Sequence, residues 1–282
     1  TDYIKGVHLM EDNQALSWSD DGTLRLWDLK AGSSKVFEGP KLGDVFSRGV
    51  IGVHLIGDNQ ALSWPDNTLR LWNLNDGSYK VFEGHTASIK GVYLVENNKV
   101  ISWAWDNTLR LWNLNDNSST ILKGHTKGVG GVHLIGDNQA LSCGYITLRL
   151  WNLQDGSSKV FEGHTGCVMD VCLMEDNKAL SWSDDGTLRL WDLKAGSSKV
   201  FEGHTKCVSG VHLIGDNQAL SWSDDGTLRL WDLKDGSSKV FEGHNSPFPF
   251  QPTKGVSGVH LIGDNQALSW GDNTLRLWNL ND

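Results

Sequence analysis

Short stretches of alternating apolar and polar residues fill this chain, each closed by a cluster of Gly, Asp, Asn or Ser. Alternation with period two marks a strand with one buried face, and the clusters supply the backbone freedom and side-chain turns that a tight reversal needs. In the clearest stretch the pattern predicts four strands, near 208–213, 219–223, 227–233 and 238–242. The turns between them are Gly215-Asp216-Asn217, Asp224-Asp225-Gly226 and Lys234-Asp235-Gly236, which predicts an antiparallel meander. No stretch runs long enough without a turn signal for a helical period to compete. The same pattern recurs along the chain: Leu-Arg-Leu-Trp appears seven times, ending at Trp27, Trp72, Trp112, Trp151, Trp191, Trp231 and Trp278. The spacings are 45, 40, 39, 40, 40 and 47, so the period is near 40, lengthened twice by inserts at 40–48 and 246–253. Residues 178–204 differ from 218–244 at only two positions, Lys178/Gln218 and Ala195/Asp235, which points to recent amplification of one unit.

A lone four-stranded meander leaves both faces uncovered, so repeated units of this kind hide them by stacking radially. The Gly-His pair before the first strand (Gly203-His204), the Trp-Asp pair in the third (Trp231-Asp232) and the period near 40 resemble the WD40 family of β-propellers. The resemblance spans the whole chain. It implies an all-β fold: a single seven-bladed WD40 β-propeller over 1–282, built of four-stranded antiparallel blades. The expected blades are 1–39, 40–84, 85–124, 125–163, 164–203, 204–243 and 244–282. Only 279–282 follow the seventh Leu-Arg-Leu-Trp, so the last blade is expected to lack its outer strand here, the closing strand lying upstream of Thr1 or beyond Asp282.

The resemblance also implies a hydrogen-bonded set of His, Ser, Asp and Trp in each blade. Carried onto this sequence, the sets are His85, Ser102, Asp106, Trp112; His164, Ser181, Asp185, Trp191; His204, Ser221, Asp225, Trp231; and His244, Ser269, Asp272, Trp278. His, Ser and Asp together invite comparison with a hydrolase triad, yet a set repeated at one period reads as scaffold, because catalysis uses a single nucleophile in a singular site. Three blades depart from the pattern. The first keeps Ser17, Asp21 and Trp27 but has no Gly-His, the second has Pro40 where His is expected, and the fourth has Tyr145 in place of Asp. These blades are expected to be the less stable ones, or to have outer turns redirected to another use.

Two further repeated features belong to this sequence. The residue after the Ser of the set is Trp18, Trp64, Trp103, Trp182, Trp222 or Trp270, with Cys143 as the exception. A strand residue following the Ser points to the opposite face, so these indoles read as filler between blades rather than a stacking platform. An equivalent first-strand position holds His8, His54, His133, His212 and His260, with Tyr93 and Cys172 in the other two units. Zinc needs ligands that converge within about 2.1 Å of the ion, and packed sheets lie about 10 Å apart, so these read as packing residues and no metal or cofactor is expected. Cys167 and Cys207 occupy equivalent positions in adjacent units and are expected to be too far apart for a disulfide.

Composition narrows the function classes. With 34 acidic against 25 basic side chains, a net charge of −9 and no Lys/Arg run, the chain lacks the basic face that nucleic-acid binding requires. No apolar run approaches the roughly 18 residues of a membrane helix. Four cysteines without a C-x-x-C pair suit a reducing compartment, so a cytoplasmic location is expected. No nucleophile elbow, phosphate-cradling loop or singular carboxylate pair is present, and the chain is read as a non-enzyme.

In the family, partners meet the residue before the turn Asp and two positions flanking the start of the first strand. The partner-contacting residues implied here are Tyr3, Lys5, Asp20, Ser88, Lys90, Trp105, Tyr145, Met169, Asp184, Ser209, Asp224 and Ser257, with Trp105, Tyr3, Lys90 and Met169 as anchors. The expected function is recognition of a protein or peptide within a larger intracellular signalling or defence-like protein that carries effector or ATPase domains. The alternatives are a free-standing small-molecule- or glycan-binding or oligomeric propeller and, less favoured, a propeller enzyme.

Overall fold

The computed structural model describes residues 2–39, 49–57, 59–96, 98–244, 255–263 and 265–281. Pro40 and both inserted segments lie outside the described residues. Among the described residues there is no helix, and twenty-seven strands form seven antiparallel sheets in which sequence neighbours pair in order. Six sheets have four strands and the last has three, so the fold is all-β with seven propeller blades spanning 4–38, 52–82, 89–123, 129–162, 168–201, 208–242 and 256–279. The chain divides into two compact units. The first is 1–129 with 136–138 and 152–157, and the second is 130–135, 139–151 and 158–282.

The sixth blade shows how the repeated sequence builds a sheet. Its strands are Val208–Ile214, Gln218–Ser223, Thr227–Asp232 and Ser238–Glu242, each within one residue of the expected bounds. Gly210 faces Trp222, which faces Leu228 and then Phe241, while the neighbouring row runs Val211, Ser221, Arg229, Val240. Side chains on adjacent rows point to opposite faces, so one face carries Trp222, Leu228 and Phe241 and the other carries Ser221 and Trp231. The turn after the second strand closes through Gly226, whose φ of 85° is left-handed backbone that glycine takes without steric cost.

Within each unit the first of these faces packs on the second face of the next blade. In the first unit Leu62, Trp64, Leu69 and Phe82 meet Val92, Val100 and Trp112, and in the second Leu180, Trp182, Leu188 and Phe201 meet Val208, Ala219 and Trp231. The third-strand indoles Trp72, Trp112, Trp151, Trp191 and Trp231 are fully buried. Lysines in the outer strands add a clamp: Lys35, Lys159 and Lys199 each donate from Nζ to two successive carbonyls in the next blade, those of Leu74 and Asn75, Leu193 and Lys194, and Leu233 and Lys234. The last sheet ends at strand Thr274–Asn279, where Leu275 and Leu277 are exposed.

Candidate functional site

Each complete His-Ser-Asp-Trp set joins three neighbouring segments of one blade. In the sixth, Trp231 Nε1 donates to Ser221 Oγ at 2.8 Å, His204 Nε2 lies 2.7 Å from the same oxygen, and His204 Nδ1 lies 2.9 Å from Asp225 Oδ2. The third, fifth and seventh blades repeat it, with Trp-to-Ser distances of 2.7, 2.8 and 2.7 Å and His-to-Asp distances of 2.8, 3.0 and 2.9 Å. One protonation pattern satisfies every atom. The indole N–H donates to the serine, the serine O–H donates to Nε2, and the Nδ1–H of a neutral imidazole donates to the carboxylate. Four such chains at one period hold four blades in the same way, and a nucleophile has no singular place among them.

The set has a further member that the repeated run itself marks, the Thr that opens every Thr-Leu-Arg-Leu-Trp. Thr108, Thr187 and Thr227 each donate from Oγ1 to the carboxylate of the set at 2.7 Å, and Thr274 does so at 2.6 Å. The Gly of the Gly-His pair has a steric cause as well. A Cβ on Gly203 would stand 2.6 Å from Nη1 of Arg229, which lies across that glycine, and Gly84, Gly163 and Gly243 are covered in the same way by Arg110, Arg189 and Arg276.

Burial pushes His85, His164 and His204 below the ordinary imidazole value of 6.5, against the pull of their aspartates. Burial raises Asp225, yet bonds from Thr227, the Thr205 N–H and His204 outweigh it and hold the group at about 2; Asp106 and Asp185 are lowered in the same manner. The sign follows from linkage: the unfolded chain protonates these imidazoles first, so their stabilisation is present above 6.5 and is lost as pH falls below it. The aspartate contribution is lost in turn below the ordinary carboxylate value of 3.8. At pH 6.5, where an ordinary imidazole is half protonated, the nitrogen-15 shifts of these three imidazoles are expected to lie on the side of the neutral Nδ1–H form; predominant protonation there would contradict the assignment.

The departing blades keep part of the set. Trp27 donates to Ser17 and Trp72 to Ser63, at 2.8 and 2.9 Å, and in the fourth blade Trp151 donates to Ser142 at 2.8 Å. Tyr145, in the Asp place of that blade, takes a φ of 50°, left-handed backbone rare for an aromatic residue.

The comparisons with known proteins agree with this geometry. The family model described as WD domain, G-beta repeat, matches residues 77–113, 156–192 and 196–232. Each match runs from the outer strand of one blade through the three inner strands of the next. This chain carries WD40 repeats. Among solved structures, the computationally designed Ika8 protein is similar in fold, with a TM-score of 0.68 at 22% identity, covering 98% of this chain and 83% of that one. None of the curated proteins matches the chain. WD40 propellers are in general non-enzymatic and commonly bind proteins or peptides.

Five of the six second-strand tryptophans of this WD40 chain lie across the first strand over a residue with no side chain. An ideal Cβ on Gly91 would stand 2.1 Å from Trp103, and the same holds, at 2.0 to 2.3 Å, for Gly6 with Trp18, Gly52 with Trp64, Gly210 with Trp222 and Gly258 with Trp270. The buried Nε1 of Trp64 and of Trp103 finds no acceptor among the described residues, which suits packing rather than polar recognition. Blades four and five solve the position differently: Gly131 faces Cys143 at an ordinary 3.4 Å, and Asp170 pairs with Trp182. Asp170 turns its carboxylate to His133 Nε2 at 3.2 Å. Of the other first-strand histidines, His212 bonds the Val259 carbonyl at 2.9 Å, and His54 is lowered by burial and by nearby His8. Among the described residues no group of three or more His, Cys, Asp or Glu is placed to hold a metal ion.

Backbone bonds join the two loops that carry the partner-contacting positions. The Asp20 N–H donates to Tyr3 O at 2.9 Å and Trp105 to Ser88 O at 3.1 Å; in the second unit Asp184 donates to Cys167 O and Asp224 to Cys207 O. Tyr3, Tyr145 and Met169 are exposed, as are Lys90, Asp184 and Ser257, while Asp20, Ser88, Ser209 and Asp224 are half-buried. Lys5 pairs with Asp20 at 3.0 Å, and Ser209 donates to Asp224 Oδ1 at 3.1 Å. Cys167 and Cys207 are free thiols, and burial with the Asp184 and Asp224 charges pushes Cys207 up to about 12. No helix of the described residues is long and apolar enough to cross a membrane.

Proposed function

We propose that this WD40 chain is a non-catalytic recognition module for a protein or peptide, and that Trp105 is its principal anchor. The observation that carries the reading is the setting of that one indole. Trp105 is 57% exposed, yet it is held in place: its backbone N–H donates to Ser88 O, its ring covers Gly128, where a Cβ would stand 2.5 Å away, and Lys90 Nζ sits 4.3 Å from its centroid. An exposed aromatic that is already ordered loses little freedom on binding and buries a large apolar area, the properties of an interface hot spot. Tyr3, Lys5, Asp20, Ser88 and Lys90 extend the contact set in the first unit, and Tyr145, Met169, Asp184, Ser209, Asp224 and Ser257 in the second.

The acidic balance argues for a protein rather than a nucleic-acid partner. The free thiols suit a cytoplasmic setting. The resemblance of so repetitive an array to those of multidomain proteins supports a place in a larger signalling or defence-like protein whose attached effector or ATPase domain performs the chemistry. A peptide-display selection on the chain tests the reading. Selected binders are expected to lose about tenfold or more in affinity against Trp105→Ala, whose Tm stays within about 2 °C of the parent. Binders that ignore this substitution would remove Trp105 from the role.

A further inference from the structure

Five outer strands place a lysine opposite the second Leu of the third strand's Leu-Arg-Leu-Trp, in the same register: Leu26 with Lys35, Leu71 with Lys80, Leu150 with Lys159, Leu190 with Lys199 and Leu230 with Lys239. In the third blade the residue opposite Leu111 is Thr120. Four of the lysines show what the position does. Lys35, Lys159 and Lys199 bring Nζ to 2.5–2.7 Å from one carbonyl oxygen and 3.2–3.4 Å from the one before it, and Lys239 reaches Leu280 O at 3.3 Å. The chain thus contains its own examples of a receptor for a primary ammonium group.

The receptor is preserved where the lysine is missing. Leu153 and Gln154 stand where Leu74 and Asn75 stand, and their turn is held alike: the Leu153 N–H donates to Asn138 O at 2.8 Å, as Leu74 does to Asn59 O, and the Gln154 N–H donates to Asn152 Oδ1 at 2.9 Å, as Asn75 does to Asn73 Oδ1. Equal turn bonding orients the two carbonyls equally. Thr120, Leu153 and Gln154 line one groove of about 370 Å³, together with Glu96 and Asp137. Lys99 is the one basic residue lining this groove, against the two carboxylates of Glu96 and Asp137.

We infer that this outer groove of the third blade binds a primary alkylammonium group, seated where the lysines of the other blades seat theirs. Two sources offer that chemistry: the lysine side chain of a peptide and a free diamine. The site lies apart from Trp105 and does not rest on the function proposed for it.

Proton–nitrogen spectra of the full chain, titrated separately with Nα-acetyl-lysine methylamide and with 1,4-diaminobutane, test the inference. Shifts are expected at the amides of residues 119–121, 137–138 and 153–154. A response to the first probe alone assigns a peptide lysine, and a stronger response to the second assigns a diamine. Both responses should be lost in Thr120→Lys, which supplies its own ammonium and repeats a residue the fold already accepts elsewhere. Equal shifts with tetramethylammonium, which cannot donate hydrogen bonds, would overturn the inference, as would no shift at these amides or shifts retained in Thr120→Lys. The tetramethylammonium arm uses the parent chain, so the result holds even if the variant folds poorly.

Discussion

Replacing Ser221 by alanine is expected to destabilise the fold by about 3 kcal/mol, or roughly 6–12 °C in Tm. The hydroxyl has two tasks at one fully buried point: it accepts the Trp231 indole N–H and completes the bond to His204 Nε2. Alanine leaves both partners in the interior with nothing to replace the oxygen, and each unsatisfied buried group costs about 1–3 kcal/mol. The second blade provides the control. Ser63 accepts from Trp72, but Pro40 stands in the sequence where the histidine of the set is expected, so Ser63→Ala is expected to cost about half as much. Urea denaturation of the two variants checks the ratio. Equal losses would mean that the imidazole adds nothing to the frame.

A methyl group in the wrong place is the second large effect. Gly91→Ala would set a Cβ 2.1 Å from the Trp103 ring, closer than packed atoms can approach, so the indole must move. It has little room: Trp103 is buried, and Tyr93 packs against it with ring centroids 5.3 Å apart. Such overpacking costs about 1–3 kcal/mol, and the upper end is expected here. Gly131→Ala, at the equivalent position, meets only the Cys143 sulfur and the Asp170 carboxylate at 3.4 and 3.3 Å and is expected to be close to neutral. The fifth blade indicates the repair. It carries Asp170 opposite its Trp182, and the place of Tyr93 is taken by Cys172, a far smaller neighbour for the indole. Tyr93→Cys is therefore expected to recover part of the Gly91→Ala loss, and a double-mutant cycle measures how much. Additive effects would separate the two residues.

These two predictions also show which parts of the fold the sequence reveals. Strand positions were readable to within a residue because every turn is marked by Gly, Asp or Asn and because each unit repeats the message, as at 208–242. The grouping of His204, Ser221, Asp225 and Trp231 followed from family resemblance, and Thr227 was available from the same repeated run. What stayed hidden depends on partners in another strand or another repeat. The glycine under Trp18, Trp64, Trp103, Trp222 or Trp270 is one turn away in sequence, and nothing in its local pattern names the ring above it. The Lys35 clamp reaches carbonyls some 40 positions on, and backbone atoms leave no trace in composition. The His133–Asp170 contact arises because one blade has a carboxylate where the others hold Gly, an exception that period-based reading averages away.

If the His-Ser-Asp-Trp sets are the frame of the molecule rather than its chemistry, backbone protection follows them blade by blade. Amide hydrogen exchange, resolved by blade, tests it most directly. Protection is expected to be highest in the second and third strands of the blades with a complete set and four strands, at 99–113, 178–192 and 218–232. It should be lower in the corresponding strands at 60–73 and 139–152, where Pro40 and Tyr145 break the set. Equal protection in all seven blades, or greater protection in the incomplete ones, would contradict it.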